Sequence, residues 1–264
     1  MAESVKSAQR ALRIIELLTV HGAMDFTEIG SRLDLPKSSA HYLLATMRDA
    51  GFLDLDDASR RYTVGPRLWE AGQAYIRDLD VARRAGPYLA AARDELGETA
   101  QLAVLDGLDN VYVGKAETEH ALQLVSKIGS RLPAYATGLG KVLLAGLAPE
   151  EARQRLSEAE LQRFTAHTIT DADALLRELA AVRRRGYALD RGEYEIGIFC
   201  VAAPIRNAAG TVAAMSVSIP DVRVDQKGRR RAIDVVTSQA AALSAALQAQ
   251  GASASRPAAA AARS

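Results

Sequence analysis

The chain has 264 residues, 48% of them hydrophobic and 25% charged, with Lys plus Arg at 33 against Asp plus Glu at 32 for a net charge of +1. That balance fits one large or two modest globular domains and excludes a wholly disordered, collagen-like or disulfide-stapled chain, as well as a basic field over the whole molecule. One cysteine, Cys200, excludes an internal disulfide and a multi-cysteine zinc site, and no apolar run approaches the roughly 20 residues that span a bilayer. The segment 1–12 lacks the apolar core of a secretion signal, so a cytoplasmic location without membrane attachment is expected.

A first helix is predicted from Ser4 to Leu18, with Ala8, Ala11, Leu12 and Ile15 at helical spacing and Lys6, Arg10 and Arg13 facing solvent. After a turn at His21–Ala23, Asp25 and Glu28 have the spacing of a capping box and start a second helix. The break Asp34–Lys37 leads into a third helix that runs to about Ala50, with Ala40, Leu43, Leu44 and Met47 as its apolar stripe. Gly51 stops it, and Phe52–Leu55 and Arg61–Val64 read as a hairpin around Asp56–Ser59. Three short helices and a hairpin make a winged helix-turn-helix over residues 1–65. A linker helix is predicted from Arg67 to Ala85, ended by Gly86–Pro87, so residues 66–86 separate the winged unit from a second domain.

Residues 87–250 read as an α+β or mixed α/β domain of sensor size. Helices are expected at Tyr88–Leu96, Gly138–Leu147, Glu150–Leu161, Asp171–Arg185 and Arg223–Ala249. Strands are expected at Ala100–Leu105, Asn110–Lys115, Leu122–Ser126, Tyr187–Asp190, Phe199–Ile205 and Thr211–Ile219. The Ala/Ser-rich tail 251–264 is expected to be disordered.

If the stripe of the third helix faces the core, Lys37, Ser38, Ser39, His41, Tyr42 and Thr46 lie on or beside its outer face. Small hydroxyl residues at a helix start let the backbone approach phosphates closely, and Arg60 and Arg61 are natural wing contacts to phosphate or minor groove. Residues 1–65 hold eight basic and nine acidic residues, a net of −1, so specificity should rest on paired half-sites. The competing reading makes the winged helix a protein-binding module with solvated arginines.

Three segments together resemble the IclR-type bacterial transcriptional regulators: Leu35–Met47, Arg131–Ala145, and Asp190–Ile205 with Gly210–Ser218. The resemblance implies an N-terminal winged helix-turn-helix, a linker helix and a C-terminal GAF-like α/β effector-binding domain. It also implies a homodimer or dimer of dimers on double-stranded operator DNA. The expected function is a ligand-responsive repressor of a catabolic operon, modulated by a small-molecule effector, a carboxylate. One departure is Tyr42, where the family commonly has a basic residue.

Thr137–Lys141 fails the Walker pattern, which needs Gly at Tyr135 and Ser or Thr at Val142, but small residues opening a helix offer N–H groups to a carboxylate. Carried over position by position, the resemblance implies an effector site at Gly138, Leu139, Asp190, Cys200, Ser216 and Ser218, with Leu132 as an apolar wall and Thr137 at the turn. Ser216 and Ser218 share a strand face by their spacing. Tyr135, Tyr194 and Phe199 lie near these motifs in sequence. Neither a cofactor nor a metal is expected, since His21, His41, His120 and His167 are scattered. An enzyme using Cys200 as nucleophile is the remaining alternative.

Overall fold

A computed structural model describes residues 5–118 and 127–254. The chain divides into two compact units, Met1–Asp78 and Leu79–Ser264. The expected strand Leu122–Ser126, His120 and residues 255–264 of the expected disordered tail lie outside the described residues; the rest of that tail, to Ala254, belongs to the last helix.

In the first unit, helix α1 (Lys6–His21) is followed by strand β1 (Met24–Asp25) and helices α2 (Phe26–Arg32) and α3 (Lys37–Asp49). Strands β2 (Leu53–Asp56) and β3 (Arg61–Val64) and helix α4 (Pro66–Asp78) complete it. The capping box forms as expected, with the Asp25 carboxylate accepting from Thr27 and Glu28 N–H and Glu28 accepting from Asp25 N–H. β3 lies between β1 and β2 in a three-stranded antiparallel sheet. β1 has only two residues, too few for alternation to reveal it in the sequence. Ile14, Leu18, Ile29, Ala40, Leu44, Met47 and Leu53 form the core.

The buried face of α1 differs from the expected stripe. Ile14 and Leu18 are buried and Ala11 and Ile15 partly so, while Ala8 and Leu12 are exposed. Apolar residues occur nearly all round this helix, so spacing alone admits two stripes, and the one with more large side chains is the one that packs.

The expected linker helix is two helices. α4 ends at Asp78, Leu79 is non-helical (φ −88°, ψ 85°), and α5 (Asp80–Leu96) runs straight through Pro87. Arg77 at the end of α4 and Asp80 at the start of α5 suit the opposing dipole ends. A proline within a helix costs about 3 kcal/mol, yet Val81, Ala85, Leu89 and Ala92 form one buried stripe across it, and that packing outweighs the lost hydrogen bond.

The second unit is a six-stranded antiparallel sheet ordered β6-β5-β4-β9-β8-β7. The strands are β4 (Ala100–Asp106), β5 (Asp109–Ala116), β6 (Arg131–Pro133), β7 (Ala188–Arg191), β8 (Ile198–Asn207) and β9 (Gly210–Pro220). α5 and the last helix, α9 (Gln226–Ala254), pack on the sheet and on each other. α6 (Gly138–Gly146) packs on β4, β8 and β9, beside α7 (Pro149–Ser157) and α8 (Ala172–Arg185). Strand alternation assigns Ala103, Ala202 and Ala214 to the α6 side, in the same core as Leu139, Leu144 and Leu179. Small strand residues let α6 sit close to the sheet. Gly140 is required there, because a Cβ on it would overlap the backbone of Ala134. Among the described residues no helix is long and apolar enough to cross a membrane.

Candidate nucleic-acid interface and ligand cavity

Ala40, Leu44 and Met47 are buried, so the opposite side of α3 is free: Lys37, Ser38, His41, Tyr42 and Thr46 are exposed and Ser39 is half-buried. Tyr42 is 73% exposed, a large aromatic standing in solvent with the His41 ring edge-on at 5.9 Å. The Thr46 hydroxyl donates back to the Tyr42 carbonyl at 2.8 Å, which leaves its methyl and lone pairs outward.

The hairpin separates its two arginines. Arg60 has a left-handed backbone (φ 55°) at the turn, and its guanidinium is held only by an exposed pair with Asp57 at 3.4 Å. Arg61, its side chain 42% exposed, donates to the Ala23 carbonyl at 2.7 and 3.1 Å and to Glu28 at 3.1 Å. The two expected wing contacts are thus held differently, Arg60 by one long exposed pair and Arg61 by the Ala23 carbonyl and Glu28. The acceptor that captures Arg61 is 38 residues away in the chain, beyond any local pattern.

In the second unit, a cavity of about 250 Å³ opens where the N-terminus of α6 meets β7, β8 and β9. Leu132, Thr137, Gly138 and Leu139 line it, as do Asp190, Cys200, Ser216 and Ser218. The sheet register explains the meeting of Asp190, Cys200 and Ser218: Asp190 pairs with Cys200, and Cys200 with Ser218, on adjacent strands. Ser216 joins them two residues along β9, on the same strand face. The Cys200 sulfur lies 3.0 Å from the Ser218 oxygen, and the Ser216 and Ser218 hydroxyls both donate to the side-chain oxygen Oε1 of Gln101, at 3.3 and 3.4 Å. Thr137 caps α6, accepting from Gly140 N–H at 3.0 Å and donating to Asn110 Oδ1 at 2.7 Å. Its hydroxyl proton is thus spent within the fold.

Sequence reasoning missed Gln101, Tyr112 and Glu195 in this lining. Gln101 on β4 and Tyr112 on β5 belong to no motif; only their parity on the strands marks them. Of the nearby aromatics, Tyr194 lines the cavity and packs on Phe164 with ring centres 4.9 Å apart. Tyr135 instead donates to the Gln162 carbonyl, and Phe199 lies beneath the Arg229 guanidinium.

Asp190 is 5% exposed, and Oδ1 accepts from Glu193 N–H at 2.8 Å. Burial pushes its carboxyl up to about 7, reinforced by the Glu193 carboxylate and opposed by that hydrogen bond and by Lys141. Burial likewise drives the Cys200 thiol upward, as does Asp190 beside it. A thiol held protonated is no nucleophile, and among the described residues no histidine lines the cavity to activate it. Lys141 is 1% exposed and donates to Glu193 Oε1 and Oε2, at 2.5 and 2.7 Å, and to the Leu189 carbonyl at 2.7 Å. This pair fastens the β7–β8 loop to α6. The Thr165 and Thr168 hydroxyls hold the same loop, donating to the Gly192 carbonyl at 2.7 Å and the Glu193 carbonyl at 2.6 Å. The loop in turn supplies Tyr194 and Glu195 to the cavity. Among the described residues no cluster of three or more His, Cys, Asp or Glu is placed to hold a metal.

Comparison with known proteins gives a consistent result for both units. A family model described as IclR helix-turn-helix domain matches residues 7–57, and one described as Bacterial transcriptional regulator IclR C-terminal matches residues 73–245. The HTH-type transcriptional regulator BhcR of Paracoccus denitrificans is 36% identical over 241 residues, covering 91% of this chain and 86% of its own. The HTH-type transcriptional repressor AllR of Escherichia coli is 33% identical over 226 residues, covering 85% and 83%. Among solved structures, an IclR homolog complexed with 4-hydroxybenzoate from Microbacterium hydrocarbonoxydans aligns with a TM-score of 0.81 at 28% identity, covering 92% of this chain and 99% of that one.

Proposed function

Because the chain belongs to the IclR family of DNA-binding transcriptional regulators, we propose that it is a repressor of a catabolic operon whose hold on operator DNA is set by a small organic acid in the α6 cavity. The observation that carries this reading is the convergence of the Gly138–Leu139 turn with Asp190, Cys200, Ser216 and Ser218 around one enclosed space, in a chain whose first unit offers a free helix face. The N–H groups that open α6 suit a carboxylate, and the serine oxygens, whose protons go to Gln101, suit a hydroxyl donor on the same small molecule. The solved relative with 4-hydroxybenzoate supports an acid of that size.

On DNA, Lys37, Ser38, Ser39, His41, Tyr42 and Thr46 read the major groove while Arg60 steadies the wing on phosphate. A near-neutral winged unit needs two copies for adequate specificity, so the active species is a homodimer or a dimer of dimers on paired half-sites, acting in the cytoplasm. Helix α4 supports this: none of its residues is buried, and Trp69 and Tyr75 are 70% and 55% exposed, apolar surface that a second copy covers.

Electrophoretic shift with the DNA upstream of its own gene tests the proposal. A shifted band that disappears in the triple variant Lys37→Ala, Ser38→Ala, His41→Ala, with its circular dichroism unchanged, is expected. No shift with or without small acids contradicts it.

A further inference from the structure

The cavity's charge is one-sided. Among the described residues lining it there is no Lys, Arg or His; the ionisable carboxyl groups are Asp190 and Glu195. The nearby cation, Lys141, is unable to serve a ligand. An ammonium group has three N–H donors, and all three are committed to Glu193 and the Leu189 carbonyl. Among the described residues, positive potential reaches the cavity as the dipole end of α6 and its first N–H groups, a partial charge of about half a unit.

Gly138, the first residue of α6, lies beside Asp190. A Cβ placed on Gly138 would sit 3.7 Å from the Asp190 Cβ and 3.7 Å from the Cys200 Cβ. An acid seated on Gly138 and Leu139 therefore brings its carboxylate next to a second, buried carboxyl group. Two carboxylates in contact in a dry site do not both stay ionised; one keeps a proton and donates it to the other.

We propose that this cavity sorts acids by charge, taking a small monocarboxylate together with one proton held on Asp190 and turning away dianions of the same size. The inference rests on the reading of the cavity as an effector site. The groups facing Asp190 agree with it. From α6 comes Lys141, already neutralised; from the β7–β8 loop come Glu193, paired with that lysine, Tyr194, and Glu195, exposed on the cavity wall; from β8 comes the Cys200 thiol and from β5 the Tyr112 phenol, both held neutral by burial. A second carboxylate on the ligand meets no cationic side chain among the described lining residues and adds to the repulsion from Glu195. Asp190 acts here as a hydrogen-bond donor and Glu195 as the excluding charge.

This arrangement fixes the sign of the pH dependence. Below pH 7 the proton is already on Asp190 and affinity is flat; above it, binding must take a proton from solvent, and affinity falls by up to about tenfold for each pH unit.

The test has two arms on the full-length protein. In the first, the ligand-free protein labelled with 13C at aspartate carboxyl carbons is titrated by NMR, with Asp190→Asn assigning the resonance. Asp190 is expected to titrate near neutrality, and an Asp190 that is ionised from pH 5 upward overturns the inference. In the second, thermal shift and calorimetry compare benzoate, 4-hydroxybenzoate and glyoxylate with terephthalate and oxalate. The expected result is binding of at least one monoanion, no binding of the dianions, and a loss of on the order of thirtyfold between pH 6 and 8.5. That loss should be absent in Asp190→Asn, whose amide still accepts from Glu193 N–H. Equal binding of both kinds, or monoanion binding without proton uptake at pH 8.5, overturns the inference and leaves the effector reading standing. Binding of none of these acids overturns both.

Discussion

Two glycines two residues apart in the α6 motif have different duties. At Gly140 a methyl group has nowhere to go, since it would overlap the backbone of Ala134, so Gly140→Ala should lower stability by about 3 kcal/mol or more in chemical denaturation. At Gly138 the same methyl meets Ala202, Asp190 and Cys200 side chains at 3.5 to 3.7 Å, ordinary contact distances. Gly138→Ala should stay within about 1 kcal/mol of the parent while losing roughly tenfold or more in affinity for any acid that binds, because the methyl stands between the helix N–H groups and Asp190. Asp190 also shapes the stability profile. Its folded-state value of about 7 lies above the ordinary 3.8, so the folded form binds more protons between those limits. Its contribution is fully present below about pH 4 and is lost as pH rises through 7. The melting temperature of the parent should therefore fall relative to Asp190→Asn across that window and run parallel to it above pH 8; parallel curves throughout would contradict this. Most residues of this site belong to motifs and are readable as such. Gln101 and Tyr112 are not, because a strand residue joins a cavity through its neighbours in the sheet, which carry no signature in its own segment.

Elements with a strong local signal are legible in the sequence, and those decided by tertiary packing are not. α2, α3 and the hairpin announce themselves through the Asp25–Glu28 capping box, the Ala40–Met47 stripe and Gly51, whose φ of 78° ends α3. Gly86–Pro87 has the pattern of a helix stop and is instead mid-helix, because the buried stripe of α5 continues across it. The break at Leu79 carries no Gly or Pro at all. The wing shows the same division between adjacent residues. Arg60, at the strained turn, has one long exposed pair with Asp57, whereas Arg61 buttresses the β1–β3 edge through the Ala23 carbonyl and Glu28. Arg60→Ala should reduce the slope of log affinity for DNA against log salt by about 0.9 with no loss of stability. Arg61→Ala should leave the slope alone and cost about 1 kcal/mol in denaturation. The reverse pattern would assign the wing contact to Arg61.

At the scale of the whole molecule, the proposed regulation is a linkage between two sites in separate units. An acid in the α6 cavity changes operator affinity only if it binds two arrangements of the paired winged units unequally, and by reciprocity the operator then changes the affinity for the acid by the same factor. Repression of a catabolic operon requires the acid to favour the arrangement that releases DNA. Coupling of this kind is typically about 1–3 kcal/mol, or about five- to 150-fold in affinity. The measurement that tests it is a fluorescence-anisotropy titration of labelled upstream DNA, at fixed salt and pH 6.5, with and without saturating amounts of the monocarboxylate that most raises the melting temperature. The linkage predicts roughly a fivefold or greater weakening of DNA binding in the parent, with about tenfold or more acid needed for the same weakening in Gly138→Ala. DNA affinity that is unchanged when the cavity is filled would contradict it.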